Sequence, residues 1–205
     1  MKDKIPLIKP EQLTRTSEHT GETRTQEVQK SKKYLIYMQL LALQPIKAPN
    51  QSKSSINYIV ELYKLKDKYG EEIVHADYVF LRSFDYIKND FCPCLYGSTI
   101  KSALNLKFNL SNKKYIVKSA CTDEECVAIL KFRRTTKDKN GNIRETLEQG
   151  ECILPKSIIR VLIETSDPQV VETLKNAVGK IINLGGKKSR GLSEAKIISV
   201  EVKEV

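Results

Sequence analysis

Residues 1–32 are polar, and TRTSEHTGETRTQEVQKSKK within them carries neither a helical nor a strand period, so an extended arm is expected. From Lys33 the pattern changes. KKYLIYMQLLALQPI is a near-continuous apolar run stopped by Pro45, the pattern of a central strand buried on both faces. INYIVELYKLKDKYGEEIVHADYVFL reads as two β-rich runs around DKYG, which predicts a hairpin. GSTIKSALNLKF then offers Ser98 as a helix cap, with Ile100, Ala103, Leu104 and Phe108 along one face.

CVAILKFRRTTKDKNGNIRETLEQGECIL has apolar ends and a polar centre at Asn140-Gly141, predicting a long hairpin with an exposed tip. SIIRVLIET is a buried strand. SDPQVVETLKNAVGKIINLGG opens with a Ser/Asp cap and Pro168, and its stripe of Val170, Val171, Leu174, Ala177, Val178, Ile181 and Ile182 predicts a helix ending near Gly185. In the last strand, AKIISVEVKEV, alternation puts Ile198, Val200 and Val202 on one face. The resulting β-α-β-β-α-β order is that of an α+β, ferredoxin-like (RRM-like) core with hairpin insertions. The expected organisation is a polar arm, 1–32, and one domain, 33–205, with insertions at about 47–95 and a long hairpin at about 127–154.

Composition narrows the partners. Lys and Arg number 35 against 25 Asp and Glu, a formal net charge of +10 that attracts polyanions and places nucleic acid ahead of other partners. No apolar run approaches the roughly 18 to 20 residues that span a bilayer, and the start of the chain lacks the apolar core of a secretory signal, so a cytoplasmic location without a membrane partner is expected. Five cysteines in such a chain favour metal binding or buried thiols over a secreted disulfide framework, with disulfides retained for a hyperthermophile source.

Three stretches carry candidate chemistry. In LGGKKSRGLSEAKI, Gly185, Gly186 and Gly191 let backbone approach a phosphate while Lys187, Lys188 and Arg190 neutralise it; the plainer reading is a helix C-cap at Gly185, and both can hold together. In YGSTIKSAL, a helix N-terminus at Ser98 and Thr99 with Lys101 nearby can receive a phosphate, or be an ordinary solvated first turn. CPC at 92–94 and CTDEEC at 121–126 supply Cys92, Cys94, Cys121 and Cys126, enough thiols for a tetrahedral structural zinc. Neither spacing is a standard knuckle, and buried thiols or a disulfide are the alternatives.

Through LGGKKSRGLSEAKI, YGSTIKSAL and the order of elements around them, the chain over about residues 33–205 resembles the RAMP superfamily of CRISPR-associated proteins, most closely its backbone-type type III (Csm/Cmr) subunits. The resemblance implies an RRM-like core that packs on guide RNA, with complementary target RNA and other RAMP subunits as partners. It implies RNA contacts at the glycine-rich loop and at the start of the 98–108 helix. It also implies a thumb at RRTTKDKNGNIRE, where Arg133, Arg134, Lys137, Lys139 and Arg144 lie; a solvated charged hairpin is the alternative. A structural zinc occurs in some family members.

The family's target-cleaving Asp lies in the loop after the first strand, but here no carboxylate stands between Lys47 and Val60. A non-catalytic or weakly catalytic guide-RNA-binding subunit is therefore expected, with an endoribonuclease that cleaves target RNA or processes guide RNA as the alternative. Asp85, Asp90 and Asp138 are weak substitutes for the missing carboxylate, and His19 and His75 are the two histidines available as general acid or base.

Overall fold

The structure, a computed structural model, describes residues 32–137, 140–184 and 193–205. Strand β1 (Tyr34–Ala42) fills the centre of a seven-stranded sheet, and its alternate residues Ile36, Met38, Leu40 and Ala42 are buried. A short strand, β2 (Ile46–Lys47), follows Pro45.

The segment expected to form a hairpin is instead helical: α1 (Lys53–Leu62), α2 (Leu65–Tyr69) and a 3₁₀ turn, Gly70–His75. Ser52 caps α1 by accepting a hydrogen bond from the Ser55 amide, and Ile56, Ile59 and Val60 fall at helical spacing on one face. Those three pack with Leu65, Ile73, Ala76 and Val79 in a separate small core. That common apolar face outweighs the β-propensity of Ile56, Tyr58, Ile59 and Val60.

β3 (Leu81–Asp85) and β4 (Asp90–Cys94) form a tight hairpin, followed by α3 (Gly97–Phe108) and β5 (Tyr115–Cys121). The long hairpin has the expected place: β6 (Val127–Lys137) and β7 (Ile143–Ile153) pair from Val127↔Ile153 out to Lys137↔Ile143. β2 adds to β7, making a second, three-stranded sheet.

β8 (Ile158–Thr165) and α4 (Pro168–Lys175) come next. α4 is shorter than its apolar stripe predicts. Asp167 caps it, and it ends before Gly179, whose positive φ turns the chain into β9 (Ile181–Asn183). Gly185 is therefore not its C-cap, and Val178 and Ile181 are exposed while Ile182 is buried.

β10 (Glu194–Glu204) pairs along β1 with a bulge opposite Gln39 and Leu40. The bulge shifts the alternation at Ile198, so Ala195 and Ile197 before it and Val200 and Val202 after it face the core. Ile198 does not share that face, a correction to the simple alternation.

Sheet order is β3-β4-β5-β8-β1-β10-β9, with antiparallel pairing throughout. Its four middle strands, β5-β8-β1-β10, with α3 and α4 as crossovers, are the ferredoxin-like arrangement. The fold is thus the expected α+β core with hairpin insertions, enlarged by helices inserted between β2 and β3. No helix among the described residues is long and apolar enough to cross a membrane.

Candidate nucleic-acid interface

The segment just after β1 gathers three parts of the chain that are distant in sequence. Its Pro45 carbonyl accepts from the Ser193 amide at 3.1 Å, and the Leu43 amide donates to Glu194 at 2.9 Å. Leu184 donates to Ser193, so the two ends of the glycine-rich loop are tied to each other and to this segment. Gly185, Gly186, Lys187, Lys188, Arg190 and Gly191 lie outside the described residues.

At the far end of the same segment, Gln51 Nε2 donates to the Tyr96 hydroxyl at 3.3 Å, linking it to the residue that precedes α3. In between, Lys47 Nζ donates to Glu148 of β7 at 2.7 Å and sits 4.2 Å from the Tyr78 ring centroid. The base of the long hairpin therefore meets the start of α3 and the flanks of the glycine-rich loop around residues 43–51.

Ser98 is not the cap of α3; Tyr96 is, and no side chain caps the helix. The first amides of a helix have no acceptor within it, and with no capping side chain this end can take an external anion. Gly97 is required there by proximity, since a Cβ would come within 2.9 Å of the Val117 carbonyl oxygen. Ser98 is exposed and Thr99 half-buried in the first turn. Lys101 points back into the fold, donating to the Tyr115 carbonyl at 3.1 Å and lying 5.0 Å from that ring. Burial pushes the Tyr115 hydroxyl up to about 12. Arg133 is exposed on β6 opposite Leu147, whereas the Arg134 side chain lies outside the described residues.

Cys92, Cys94 and Cys121 do meet in one buried cluster, because β4 and β5 pair at Cys94↔Cys121. That register joins Cys94 and Cys121 as a disulfide. Cys126, in the 3₁₀ turn Glu124–Cys126, is not part of the cluster. The disulfide takes two of the four thiols that a zinc over Cys92, Cys94, Cys121 and Cys126 needs, and no group of three or more metal-ligating side chains is assembled among the described residues. The residues present do not fit the metal. Burial raises the pKa of the Cys92 thiol, and that of Cys152 is pushed up to about 12, so both are poor nucleophiles.

Two charge networks escaped the sequence reading because no local spacing announces them. Arg82, 3% exposed at its side chain, forks onto the fully buried Glu151 at 2.6 Å and onto Glu124 at 2.7 Å. Burial alone would lower the Arg82 pKa, but the two carboxylates outweigh it and raise it. Arg160 similarly holds Asp85 at 2.7 Å and Asp123 at 3.0 Å, and Lys88 reaches Asp123 at 2.6 Å. Asp85 is thereby a buried ion-pair partner. Asp90 bonds its neighbouring Phe91 amide, and His75 is exposed at the end of the 3₁₀ turn instead of in a strand. Asp138 and His19 lie outside the described residues.

These features define a ferredoxin-like domain with a long hairpin, in which three segments distant in sequence meet around residues 43–51. No protein-family model matches the chain, and no curated protein does. Among solved structures it is similar to a chain of the type III-B Cmr-beta assembly bound to cognate target RNA, at 14% identity and a TM-score of 0.49 over 83% of this chain. It spans 61% of that chain's length. It is also similar to oligomeric Cmr4 from Pyrococcus furiosus, at 13% identity and a TM-score of 0.41 over 85% of this chain and 98% of that one. A further Pyrococcus furiosus structure, of Cmr4 (Cas7), matches at 12% identity and a TM-score of 0.39, over 85% of this chain and all of that one.

Proposed function

We propose that the chain is a guide-RNA-binding subunit of a type III CRISPR effector complex. In this reading it works in the cytoplasm beside other RAMP subunits and positions guide RNA for a complementary target RNA. The observation that carries the reading is the convergence on residues 43–51. The flanks of the basic glycine-rich loop, the uncapped start of α3 and the base of the charged hairpin meet there. Backbone amides at a helix start suit phosphate oxygens, and Lys187, Lys188 and Arg190 add the charge neutralisation that single-stranded RNA requires.

The test is the salt dependence of guide-RNA binding. Replacing Lys187 and Arg190 together by Ala removes two phosphate contacts, so the log–log salt slope becomes shallower by about 1.4. An unchanged slope removes the loop from the interface. With labelled complementary target RNA added, the expected outcome is binding without cleavage, because the segment after β1 has no carboxylate between Lys47 and Val60. Metal-dependent cuts would make the chain an endoribonuclease.

A further inference from the structure

The other face of the central sheet carries a second feature, apart from the surface around residues 43–51. β1 residues 36, 38, 40 and 42 enter the core, so Tyr37 and Gln39 stand on the opposite face. Strand register arranges that face in rows running across β8, β1 and β10. One row is Arg160, Gln39 and Ser199; the next is Leu162, Tyr37 and Glu201; Lys203 lies one step further along β10. The β3–β4 hairpin curls over these rows, drawn down by the Arg160–Asp85 ion pair, and its tip residues Tyr86 and Ile87 close one side. Between tip and sheet lies a cavity of about 410 Å³, within the usual range for small-ligand sites.

The chemistry of the walls is specific. Tyr37 is a half-buried aromatic floor at the centre of the sheet, and the Lys203 ammonium lies 5.1 Å from its ring centroid. Tyr86 is exposed at the rim. The Arg160 donors are occupied by Asp85 and Asp123, so what this side chain offers the cavity is its flat guanidinium face. Gln39 and Ser199 supply mixed donors and acceptors, and Glu201 supplies a carboxylate that only accepts.

A planar ring with polar edges and a nearby negative charge satisfies all of these groups. A purely apolar ligand would strand Gln39, Ser199 and Glu201. We infer that this cavity binds a nucleotide unit, its base stacked on Tyr37, its edge facing Gln39, Ser199 and Glu201, and its phosphate toward Lys203. Because the Glu201 carboxylate accepts from an exocyclic amino group, adenine and cytosine are preferred over uracil. The same unit can come from a free mononucleotide or from one base of a single strand.

The experiment uses the full chain with isotope-labelled methyl groups and follows Ile87, which lines the cavity, by NMR during titration with AMP, CMP, UMP and a short adenylate oligonucleotide. Saturable shifts with AMP and CMP, weaker with UMP, support a free-nucleotide site. Shifts with the oligonucleotide alone support capture of a base from a strand. Tyr37→Phe retains binding, Tyr37→Leu weakens it about tenfold through lost stacking, and Glu201→Gln removes the base preference. No shift with any probe overturns the inference, as do equal shifts in Tyr37→Leu. Shifts that follow protein concentration without nucleotide also overturn it, since they mean that a second copy covers the face. Because Lys187 and Arg190 are intact in these variants, a failure here with the guide-RNA salt slope preserved refutes the cavity site alone.

Discussion

At Gly150 the hairpin strand passes so close to Tyr78 that any Cβ would run into the Tyr78 carbonyl oxygen and ring. Tyr78 is 1% exposed, and its carbonyl also accepts from the Glu151 amide, so neither neighbour can move aside. Gly150→Ala is expected to cost about 1 to 3 kcal/mol by overpacking, read from the midpoint of urea unfolding. A second consequence at this scale concerns acid. Lys88 and Arg160 hold the Asp123 pKa below the ordinary carboxylate value, and for Glu124 the cations Arg82 and Lys68 outweigh a burial effect of opposite sign. The unfolded chain therefore binds protons more readily than the folded one at both sites. Their stabilisation is complete above the ordinary carboxylate range and is lost as pH falls through the lower folded values. Urea midpoints measured from pH 6 down to pH 3 should fall, and the drop should be smaller in Asp123→Asn.

Among the elements, the β3–β4 hairpin depends most on a single covalent tie. β4 meets β5 at one register position, Cys94↔Cys121, and the disulfide there closes a sequence separation of 27 residues. A loop of that length corresponds to about 3 to 4 kcal/mol in the chain-entropy description. Cys94→Ser with Cys121→Ser is expected to lower stability by up to that amount. Hydrogen exchange should quicken mainly over Leu81–Cys94, while Cys92→Ser leaves that region protected. α1 shows how an element can be misread. Its Ile and Val residues have high β-propensity, and the deciding signals are the Ser52 cap and the common face of Ile56, Ile59 and Val60. The cap is local and was present in the sequence; the face became decisive because Ile73, Ala76 and Val79 cover it. Ser52→Ala should cost about 1 kcal/mol by the same unfolding measurement.

Across the whole molecule, the Arg82–Glu151 pair joins β3 of the seven-stranded sheet to β7 of the three-stranded one. Both side chains are buried, so Glu151→Ala leaves Arg82 with Glu124 as its remaining counter-charge and is expected to cost up to about 3 kcal/mol, the low end for breaking a buried pair. Replacing both, as Arg82→Met with Glu151→Leu, should recover much of that loss in the same denaturation assay. If the double variant is as unstable as the single one, the pair is contributing more than mutual neutralisation.

Three of the four middle strands, β1, β8 and β10, and the two crossover helices are legible from local sequence, whereas β5 (Tyr115–Cys121) is not. Tyr34–Ala42, Ile158–Thr165 and the separate hairpin Val127–Ile153 announce themselves through apolar runs and turn residues, α4 through its Asp167 cap and apolar stripe, and α3 through its stripe alone. Those signals are local, so one sequence suffices to read them. Packing between distant segments sets the helices of Lys53–Leu62 and Leu65–Tyr69, the β10 bulge at Ile198, the placing of Cys94 opposite Cys121 and the neutralisation of distant carboxylates by Arg82 and Arg160. Each of these depends on which strand lies beside which, and that choice is made by packing between segments tens of residues apart. The meeting of three segments around residues 43–51 has the same origin: sequence supplied the parts, and sheet order brought them together.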